Sequence, residues 1–250
     1  MKSKGAIFLI PAYNEAESIG ELLDEARRDM PGMPALVVSD GSSDDTSAIA
    51  LERGAIVLDL PCNLGVGGAV QAGIRHARRT GFDTVVRIDG DGQHPPALAA
   101  TLLAELDRTG TDLVIGSRFL KGYGGGSSST QVRRLGNRVL ALFLSAICRC
   151  PITDPTSGCW ALRGRILDYF AWDFPCEYPE PEAIALARRQ GYDVREVSIA
   201  ARPRQHGASH ITSAATLYFA ARVALALVAD RVRPIDRRFA RGTRSERSLP

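Results

Sequence analysis

Thr84-Val85-Val86-Arg87-Ile88-Asp89-Gly90-Asp91 is the stretch that decides the fold of this chain. Its first five residues are typical of a strand that is buried on both faces, and two carboxylates follow where that strand would end. Strands buried on both faces occur mainly in parallel sheets, whose crossover connections are helices. The stretch therefore predicts an α/β fold with polar residues at the carboxyl end of an inner strand.

The sequence on both sides of this stretch alternates between apolar strands and amphipathic helices. Residues 6–10 form an apolar run that ends at Pro11, and Asn14 with Glu17 has the form of a capping box that would start the first helix. The apolar residues of that helix share one face: Ile19, Leu22, Leu23 and Ala26. Further strands are predicted at 36–38, 56–60, 84–88 and 113–115, and further helices at 44–53, 67–79 and 95–107. We therefore expect one domain with a mostly parallel, doubly wound sheet, and ligands at the carboxyl ends of its strands.

Length and composition exclude several classes of protein. With 250 residues and 45% hydrophobic content, the chain can form one large α/β domain. A net charge of +3 is too small to indicate nucleic-acid binding. The five cysteines are odd in number and lack paired ligand spacing, which predicts reduced, inert thiols. No signal-peptide pattern is present at the N-terminus, so we expect a cytoplasmic protein.

Polar side chains and glycines follow each of the first four predicted strands. Asp, Asn and Gly are also ordinary turn and cap residues, so one such segment alone indicates little. Four in succession at corresponding strand ends indicate a shared binding rim. The segments are Pro11-Ala12-Tyr13-Asn14-Glu15, Ser39-Asp40-Gly41-Ser42-Ser43-Asp44-Asp45, Asn63-Leu64-Gly65-Val66-Gly67-Gly68 and Asp89-Gly90-Asp91-Gly92-Gln93-His94.

The Asp89-Gly90-Asp91 motif predicts a site for a divalent cation beside phosphate. Mg²⁺ or Mn²⁺ takes one or two protein carboxylates and fills its other positions with water and substrate phosphates. Gln93 or His94 could complete or orient that shell. The twelve-residue EF-hand pattern is missing, which disfavours a calcium loop.

The glycines that follow the third strand do not form a dinucleotide fingerprint. Position 70 is Val, the cluster follows the third strand rather than the first, and no Lys-Ser/Thr pair of a P-loop follows it. We interpret Gly67 and its neighbours as a backbone turn that lets the third helix approach a nucleotide.

Taken in order, these motifs resemble those of the inverting family 2 glycosyltransferases of the A-type nucleotide-sugar fold (GT-A), particularly the dolichyl-phosphate mannose and polyprenyl-phosphate glucose synthases. The resemblance extends to about residue 229. It rests on the four segments above and on Gly116-Ser117-Arg118-Phe119 and Asp154-Pro155-Thr156-Ser157-Gly158. It implies an α/β fold with one nucleotide-sugar-binding domain and hexosyltransferase activity that depends on Mg²⁺ or Mn²⁺.

The resemblance also implies roles for individual residues. Asp40 would accept a hydrogen bond from the base, and Arg118 would lie near the sugar and acceptor, since a guanidinium suits oxyanions. The remaining nucleotide-sugar contacts would be Pro11, Tyr13, Glu15, Gly67, Asp89, Arg204 and Ser209. The metal ligands would be Asp89, Asp91 and Gln93, with Asp91 counted as catalytic, and the sugar pocket would be shaped by Asp154 and Ser157.

Two kinds of acceptor remain open at this point. A polyprenyl phosphate is already an anion, so Arg118, Arg133 and Arg134 would suffice to position it. A hydroxyl of a cell-surface glycan would need a general base within hydrogen-bond reach, for which Glu182 is the candidate. Glu182 fits equally well as an acid in the first turn of a helix, where the helix dipole favours a negative charge.

We predict transfer of a hexose from a GDP-, UDP- or dTDP-sugar to polyprenyl phosphate at the cytoplasmic membrane face. The first alternative is a glycan hydroxyl acceptor, and a remote one is a non-catalytic nucleotide-sugar-binding protein. The predicted catalytic domain spans 1–229, with a donor half (1–117), an acceptor half (118–212) and an apolar helix (213–229).

A basic, flexible tail is predicted over 230–250. The apolar run at 214–229 is shorter than the about 20 residues that a bilayer crossing needs. With the seven arginines that follow, it suits peripheral contact with an anionic membrane surface. A helix packed on the core, followed by a polar tail, explains the same pattern.

Overall fold

A computed structural model of the chain describes residues 5–120, 131–202, 222–223, 225–228 and 235–240, without the side chains of 131–134. The strands are β1 (Ala6–Ala12), β2 (Ala35–Ser39), β3 (Ile56–Asp59), β4 (Thr84–Arg87), β5 (Leu113–Ser117), β6 (Trp160–Arg163) and β7 (Val194–Ser198). The helices are α1 (Ala16–Asp29), α2 (Thr46–Glu52), α3 (Gly65–Arg79), α4 (Leu98–Thr109), α5 (Gln131–Cys148), α6 (Arg165–Trp172) and α7 (Pro179–Arg189). Every element predicted between residues 6 and 115 is present, with ends that differ by a few residues.

The seven strands form one sheet in the order β3-β2-β1-β4-β6-β5-β7. Strand β6 runs antiparallel to both of its neighbours, and the other neighbouring pairs are parallel. The predicted α/β class and mostly parallel sheet are therefore confirmed. Because β6 is reversed, its first residue Trp160 lies beside Arg87, the last residue of β4.

Apolar side chains cover both faces of the sheet, as a doubly wound fold requires. On one face, α1 and α4 pack through Ile19, Leu22, Leu102 and Leu106. On the other face, α3, α5, α6 and α7 contribute residues such as Ile74, Leu144, Phe170 and Ile184. Strand β4 is buried along its whole length, which places Asp89 and Asp91 at the centre of the sheet edge.

The predicted capping box at the start of α1 is wrong. Asn14 has a left-handed backbone (φ 54°), and Glu15 occupies the N-cap position without a side-chain cap bond. In this conformation Asn14 turns towards the loop after β2, where its Oδ1 accepts from the Ser43 N–H (2.8 Å). Its own N–H donates to Ser42 Oγ (3.1 Å). Asn14 therefore joins two loops of the predicted rim.

The C-terminal region is described in part. Residues 222–223 and 225–228 are helical, with Val223 and Leu227 buried and Leu225 exposed; the other residues of the predicted helix 213–229 lie outside the described part. Residues 235–240 differ from the expected flexible tail, because Phe239 is 8% exposed and Tyr192 Oη donates to its carbonyl (2.7 Å). Among the described residues, no helix is both long and apolar enough to cross a membrane.

Candidate active site

The carboxylate of Asp44 helps to hold the loop after β2 against the start of α1. Asp44 accepts hydrogen bonds from the N–H groups of Ala16 (3.1 Å) and Thr46 (3.1 Å). Burial raises the pKa of Asp44, but the hydrogen bonds from Thr46 and Ala16 outweigh it and hold the pKa below its ordinary value. The loops after β1 and β2 therefore form one hydrogen-bonded unit.

Asp40, the predicted base-binding residue, lies at the end of β2 and is 4% exposed. Its Oδ1 accepts from the Leu64 N–H at 2.7 Å, which ties it to the loop after β3. Gly41 (φ 67°) permits this approach, since a Cβ there would lie 2.7 Å from the Asn63 nitrogen. Asp40 Oδ2 has no hydrogen-bond partner among the described residues, so one oxygen is left for a ligand.

The ends of β1 and β4 meet closely. A Cβ at Gly90 would lie 3.1 Å from the Pro11 carbonyl oxygen, and Ser18 Oγ donates to the Gly90 carbonyl at 2.8 Å. Glu15 Oε2 lies 2.9 Å from the same hydroxyl. Tyr13 is 51% exposed beside this junction. The structure therefore brings Pro11 and Glu15 next to the predicted metal-binding motif.

Asp89 is held by an arginine that sequence analysis did not single out. Arg87 is 2% exposed, and its Nη2 donates to Asp89 Oδ1 at 2.9 Å. Burial alone would raise the pKa of Asp89, but the charge of Arg87 and its hydrogen bond hold the pKa below its ordinary value. Asp89 is therefore an ionised carboxylate with one oxygen fixed in place.

Gly158 makes room for that carboxylate. A Cβ at position 158 would lie 2.1 Å from Asp89 Oδ2 and 2.7 Å from Oδ1. Non-bonded atoms do not approach each other this closely, so any larger residue at position 158 would displace Asp89. The loop before β6 thus sets the position of the first predicted metal ligand.

Asp91 is 7% exposed and is organised by Gln93. Its Oδ1 accepts from the Gln93 N–H at 3.0 Å, and its Oδ2 accepts from the Gln93 side-chain amide. The carbonyl of Gln93 in turn accepts from the Arg202 N–H at 2.9 Å. Arg202 pairs with Glu25 of α1 at 2.9 Å. The metal motif is therefore connected to the chain that leads towards the predicted contact residues Arg204 and Ser209.

The described donor set fits a hard divalent cation. Among the described residues no cluster of three His, Cys, Asp or Glu side chains forms a closed metal site. Mg²⁺ and Mn²⁺ do not require one, because one or two carboxylates with water and substrate phosphates suffice. Both ring nitrogens of His94 are buried without a partner among the described residues, and Nδ1 lies 3.6 Å from Asp89 Oδ2. Buried polar atoms of this kind are usually satisfied by water or an ion.

His94 is neutral in this setting. Burial lowers its pKa, and the nearby charge of Asp89 offsets that effect only in part, so that the pKa stays below its ordinary value. A neutral imidazole keeps one nitrogen as an acceptor. His94 therefore suits a role beside a bound cation or its water shell.

Most of the Arg118 guanidinium is already bound inside the protein. Its Nε (2.7 Å) and Nη2 (2.9 Å) bind both oxygens of Asp154, which is fully buried. Burial lowers the pKa of Arg118, but Asp154 outweighs it and the pKa is raised. Arg118 Nη1 has no hydrogen-bond partner among the described residues. Only that corner of the guanidinium is left for a ligand oxygen.

The peptide before Asp154 is held from β7. Glu196 accepts from the N–H groups of Thr153 (2.8 Å) and Asp154 (2.9 Å), and from Thr153 Oγ1 (2.6 Å). Burial raises the pKa of Glu196 despite these hydrogen bonds. Asp154 is therefore a positioned partner of Arg118, and its role in shaping the sugar pocket stays a prediction.

Ser157 and Gly67 both make close contacts with other parts of the protein. Ser157 is 2% exposed and its hydroxyl donates to the Gly116 carbonyl at 2.6 Å. A Cβ at Gly67 would lie 2.4 Å from the Pro175 carbonyl oxygen. The small residue at position 67 thus lets α3 pack against the segment before α7. A direct contact of either residue with the sugar nucleotide stays a prediction.

The two acids at the start of α7 are not equivalent. Glu180 Oε1 lies 2.9 Å from Arg87 Nη1, and its side chain is 20% exposed. Glu182, the predicted candidate base, is 8% exposed within the first turn of α7. Arg87 therefore joins the metal motif to α7 through Glu180, and the Trp160 ring lies 5.7 Å from its guanidinium.

Four predicted contacts lie outside the described side chains: Arg133, Arg134, Arg204 and Ser209. Sequence reasoning missed Arg87, Gly158 and Glu196. Arg87 had a readable signal, because a charged residue inside an apolar strand must find a buried partner. Gly158 and Glu196 had none, since their importance depends on contacts with residues far away in sequence.

Relatives with known names have similar sequences over most of the chain. The polyprenol monophosphomannose synthase of Mycolicibacterium smegmatis is 31% identical over 216 residues, which are 82% of this chain and 80% of the relative. The undecaprenyl-phosphate mannosyltransferase of Micrococcus luteus is 37% identical over 64% of this chain and 66% of its own length. The dolichyl-phosphate hexose transferase of Haloferax volcanii is 32% identical over 77% and 80%, respectively.

Solved structures share the fold. Glucosyl-3-phosphoglycerate synthase from Mycobacterium tuberculosis, in complex with Mn²⁺, uridine diphosphate and glucosyl-3-phosphoglycerate, superimposes with a TM-score of 0.66 at 25% identity, over 94% of this chain and 82% of that one. The family model described as "Glycosyl transferase family 2" matches residues 7–170. That match takes in β1 to β6 and the carboxylates of the metal motif, and the chain is a member of glycosyl transferase family 2.

Proposed function

We propose that this glycosyltransferase moves a hexose, with inversion, from a nucleotide-diphosphate sugar to a polyprenyl phosphate in a reaction that requires Mg²⁺ or Mn²⁺. The named relatives support the acceptor class, since polyprenol, undecaprenyl and dolichyl phosphates occur in their names. A lipid-linked acceptor would also bring the protein to a membrane surface. The donor remains a GDP-, UDP- or dTDP-hexose, because the described contacts do not discriminate between these bases.

The observation that carries this proposal is the state of the two acids on α7. A hydroxyl acceptor needs a carboxylate base within hydrogen-bond reach. Glu180 has its charge engaged by Arg87 at 2.9 Å, and Glu182 is 8% exposed. Neither carboxylate is therefore exposed and ready to act as a general base. A phosphate acceptor needs none, because it is already an anion.

The proposed step is a displacement at the anomeric carbon. A phosphate oxygen of the acceptor forms the new C–O bond, while the bond to the nucleoside diphosphate breaks and that diphosphate leaves with the electron pair. Arg118 Nη1 would bind the acceptor phosphate, with Asp154 holding the guanidinium in place. Asp40 and Tyr13 would hold the nucleotide on the other side of the rim. No proton has to be removed from the nucleophile.

Asp89, Asp91 and Gln93 would hold the cation. A bound divalent cation would neutralise charge on the departing diphosphate as a Lewis acid. Arg87 keeps Asp89 ionised and fixed, and Gln93 holds Asp91 in place through two hydrogen bonds. These residues are therefore arranged before any ligand arrives, which reduces the reorganisation that binding requires.

A donor and acceptor screen tests the proposal. The protein is incubated with Mn²⁺, one nucleotide sugar at a time, and either a polyprenyl phosphate or a glycan, and products are identified by mass spectrometry. We expect the free nucleoside diphosphate and a glycosyl-phosphoryl-polyprenol with one donor. Transfer to glycan alone would assign the hydroxyl acceptor instead, and tight donor binding without turnover would indicate a non-catalytic protein.

Asp91→Asn is expected to lower turnover by at least about 100-fold, because the cation loses a carboxylate charge with no change in side-chain volume. Mn²⁺ binding, followed by electron paramagnetic resonance, should weaken in parallel, and the urea unfolding midpoint should stay close to wild type. Asp29→Asn, a surface change on α1, is the control. Unchanged Mn²⁺ binding in Asp91→Asn would remove this residue from the metal shell.

Glu182→Gln separates the two acceptor classes. With polyprenyl phosphate we expect less than about a tenfold change in kcat, because no general base is needed. With a hydroxyl acceptor, loss of the base would cost about 10²- to 10⁴-fold. Glu177→Gln, whose side chain is 71% exposed, is the control. A loss of 100-fold or more with polyprenyl phosphate would contradict the proposed mechanism.

A further inference from the structure

Two cysteines at the end of α5 lie together, although sequence analysis predicted inert thiols. Cys148 is the last residue of α5 and is 6% exposed, and Cys150 is half-buried. We propose that Cys148 and Cys150 form a redox-active dithiol that a hydroperoxide converts into a disulfide. Neither residue takes part in the sugar-transfer site described above.

The backbone between the two cysteines brings their side chains to the same side. Arg149 has a left-handed conformation (φ 52°), which is uncommon for a residue with a side chain. With this turn, the Cys148 thiol donates a hydrogen bond to the Cys150 sulfur. The two thiols therefore lie within hydrogen-bond reach of each other before any reaction takes place.

Cys150 is the more accessible of the two thiols. The hydrogen bond from Cys148 lowers its pKa to about 7; burial opposes this effect, and the positive charge of Arg188 adds to it. The thiolate is the form that attacks peroxides, and a thiol with this pKa is about half ionised at neutral pH. Arg188 is held in place by the Tyr192 carbonyl at 3.0 Å.

A groove gives small molecules access to Cys150. It has a volume of about 470 Å³ and lies along the edge strand β7, lined by Cys150, Pro151, Thr111, Arg195 and Glu196. Hydrogen peroxide and small alkyl hydroperoxides fit easily in this space. The lining is polar enough for the oxygen atoms of such a molecule to find hydrogen-bond partners.

The proposed oxidation of the two thiols takes place in two steps. The Cys150 thiolate attacks the hydroperoxide R–O–OH, one oxygen is transferred to sulfur as sulfenic acid, and the alcohol R–OH leaves after taking up a proton. The Cys148 thiol then attacks the sulfenic sulfur, which releases water and closes the disulfide. The two sulfurs together lose two electrons, and the peroxide O–O bond gains them.

The other three cysteines lack this arrangement. Cys62 and Cys176 are exposed free thiols, and each is far in sequence from the other cysteines. Cys159 is fully buried, and burial raises its pKa, so it stays a thiol. These residues provide internal controls within the same chain.

The experiment exposes the full-length protein to hydrogen peroxide at pH 7, blocks free thiols with N-ethylmaleimide, and maps peptides by mass spectrometry. We expect the peptide that contains both Cys148 and Cys150 to lose about 2 Da and to become resistant to the blocking reagent, with reversal by dithiothreitol. Cys62 and Cys176 should remain available to the reagent at the same peroxide concentration.

Two variants sharpen the test. Cys148→Ser should stop at sulfenic or sulfinic acid on Cys150, because the second thiol is gone, whereas Cys62→Ser should behave like wild type. Oxidation of Cys62 or Cys176 while the Cys148–Cys150 peptide stays reduced would overturn the proposal. Sulfinic acid at Cys150 of the wild-type chain without a disulfide would overturn it as well, and that result does not depend on how any variant folds.

Discussion

Replacing Gly158 with alanine is expected to reduce sugar transfer by at least about 100-fold. The new methyl group would lie 2.1 Å from Asp89 Oδ2, so either the carboxylate or the loop before β6 must shift. A displacement of about 1 Å in a catalytic arrangement can cost two orders of magnitude in rate. The measurements are turnover at saturating Mn²⁺ and the affinity for Mn²⁺. We expect both to fall.

Gly73→Ala is the matched control for this prediction. A Cβ at Gly73 would also meet an atom at 2.1 Å, but that atom is a methyl of Leu9 in the core. Overpacking of this kind costs about 1–3 kcal/mol of stability. Activity per folded molecule should stay near wild type in Gly73→Ala. Equal loss of activity in both variants would mean that general strain, rather than displacement of Asp89, explains the effect.

Arg87→Met is expected to destabilise the protein by about 3–5 kcal/mol, the cost of breaking a buried ion pair from one side. Arg87 is 2% exposed and lies 2.9 Å from both Asp89 and Glu180. Methionine keeps the volume of the side chain but leaves two carboxylates close together without a counter-charge. Urea unfolding monitored by circular dichroism measures the loss.

A double-mutant cycle identifies the cause of that loss. Adding Glu180→Gln to Arg87→Met removes one of the two unpaired charges, so the double variant should be more stable than the sum of the single changes predicts. Arg108→Met, which breaks an exposed pair with Glu105, should leave the urea midpoint unchanged. Strictly additive effects of Arg87→Met and Glu180→Gln would show that the pair contributes nothing as a pair.

The donor half of the fold could be predicted from sequence because its signals are local. Each strand between residues 6 and 115 is an apolar run that ends in polar residues, and a parallel sheet necessarily brings those ends to one edge. Asp40, Asp89 and Asp91 were assigned to that edge in this way, and their roles there stay predictions. The predicted capping box is wrong because Asn14 forms hydrogen bonds with a neighbouring loop instead of capping its own helix. A local sequence pattern does not reveal such a contact.

The acceptor half was less predictable because its contacts join distant residues. Arg118 was assigned to a ligand oxyanion since a guanidinium suits one, but a buried protein carboxylate, Asp154, satisfies the same chemistry. The α7 acids could not be separated from sequence, whereas the structure assigns Glu180 to Arg87. The inert-thiol prediction considered metal spacing and not the turn at Arg149, on which the proposed Cys148–Cys150 dithiol depends.

The reversed strand β6 also bears on how acceptor choice could change between related enzymes. The chain leaves the sheet after Ser117 and returns at Trp160, and the Gly116 N–H donates to the Cys159 carbonyl at 2.8 Å, so departure and return lie side by side. The two ends of the 118–158 excursion therefore meet at one place, and further contacts fix its described part: Leu144 of α5 lies in the core, and Glu196 of β7 holds Thr153 and Asp154. Exchanging this stretch between homologues would have to preserve those contacts, the junction and the glycine beside Asp89.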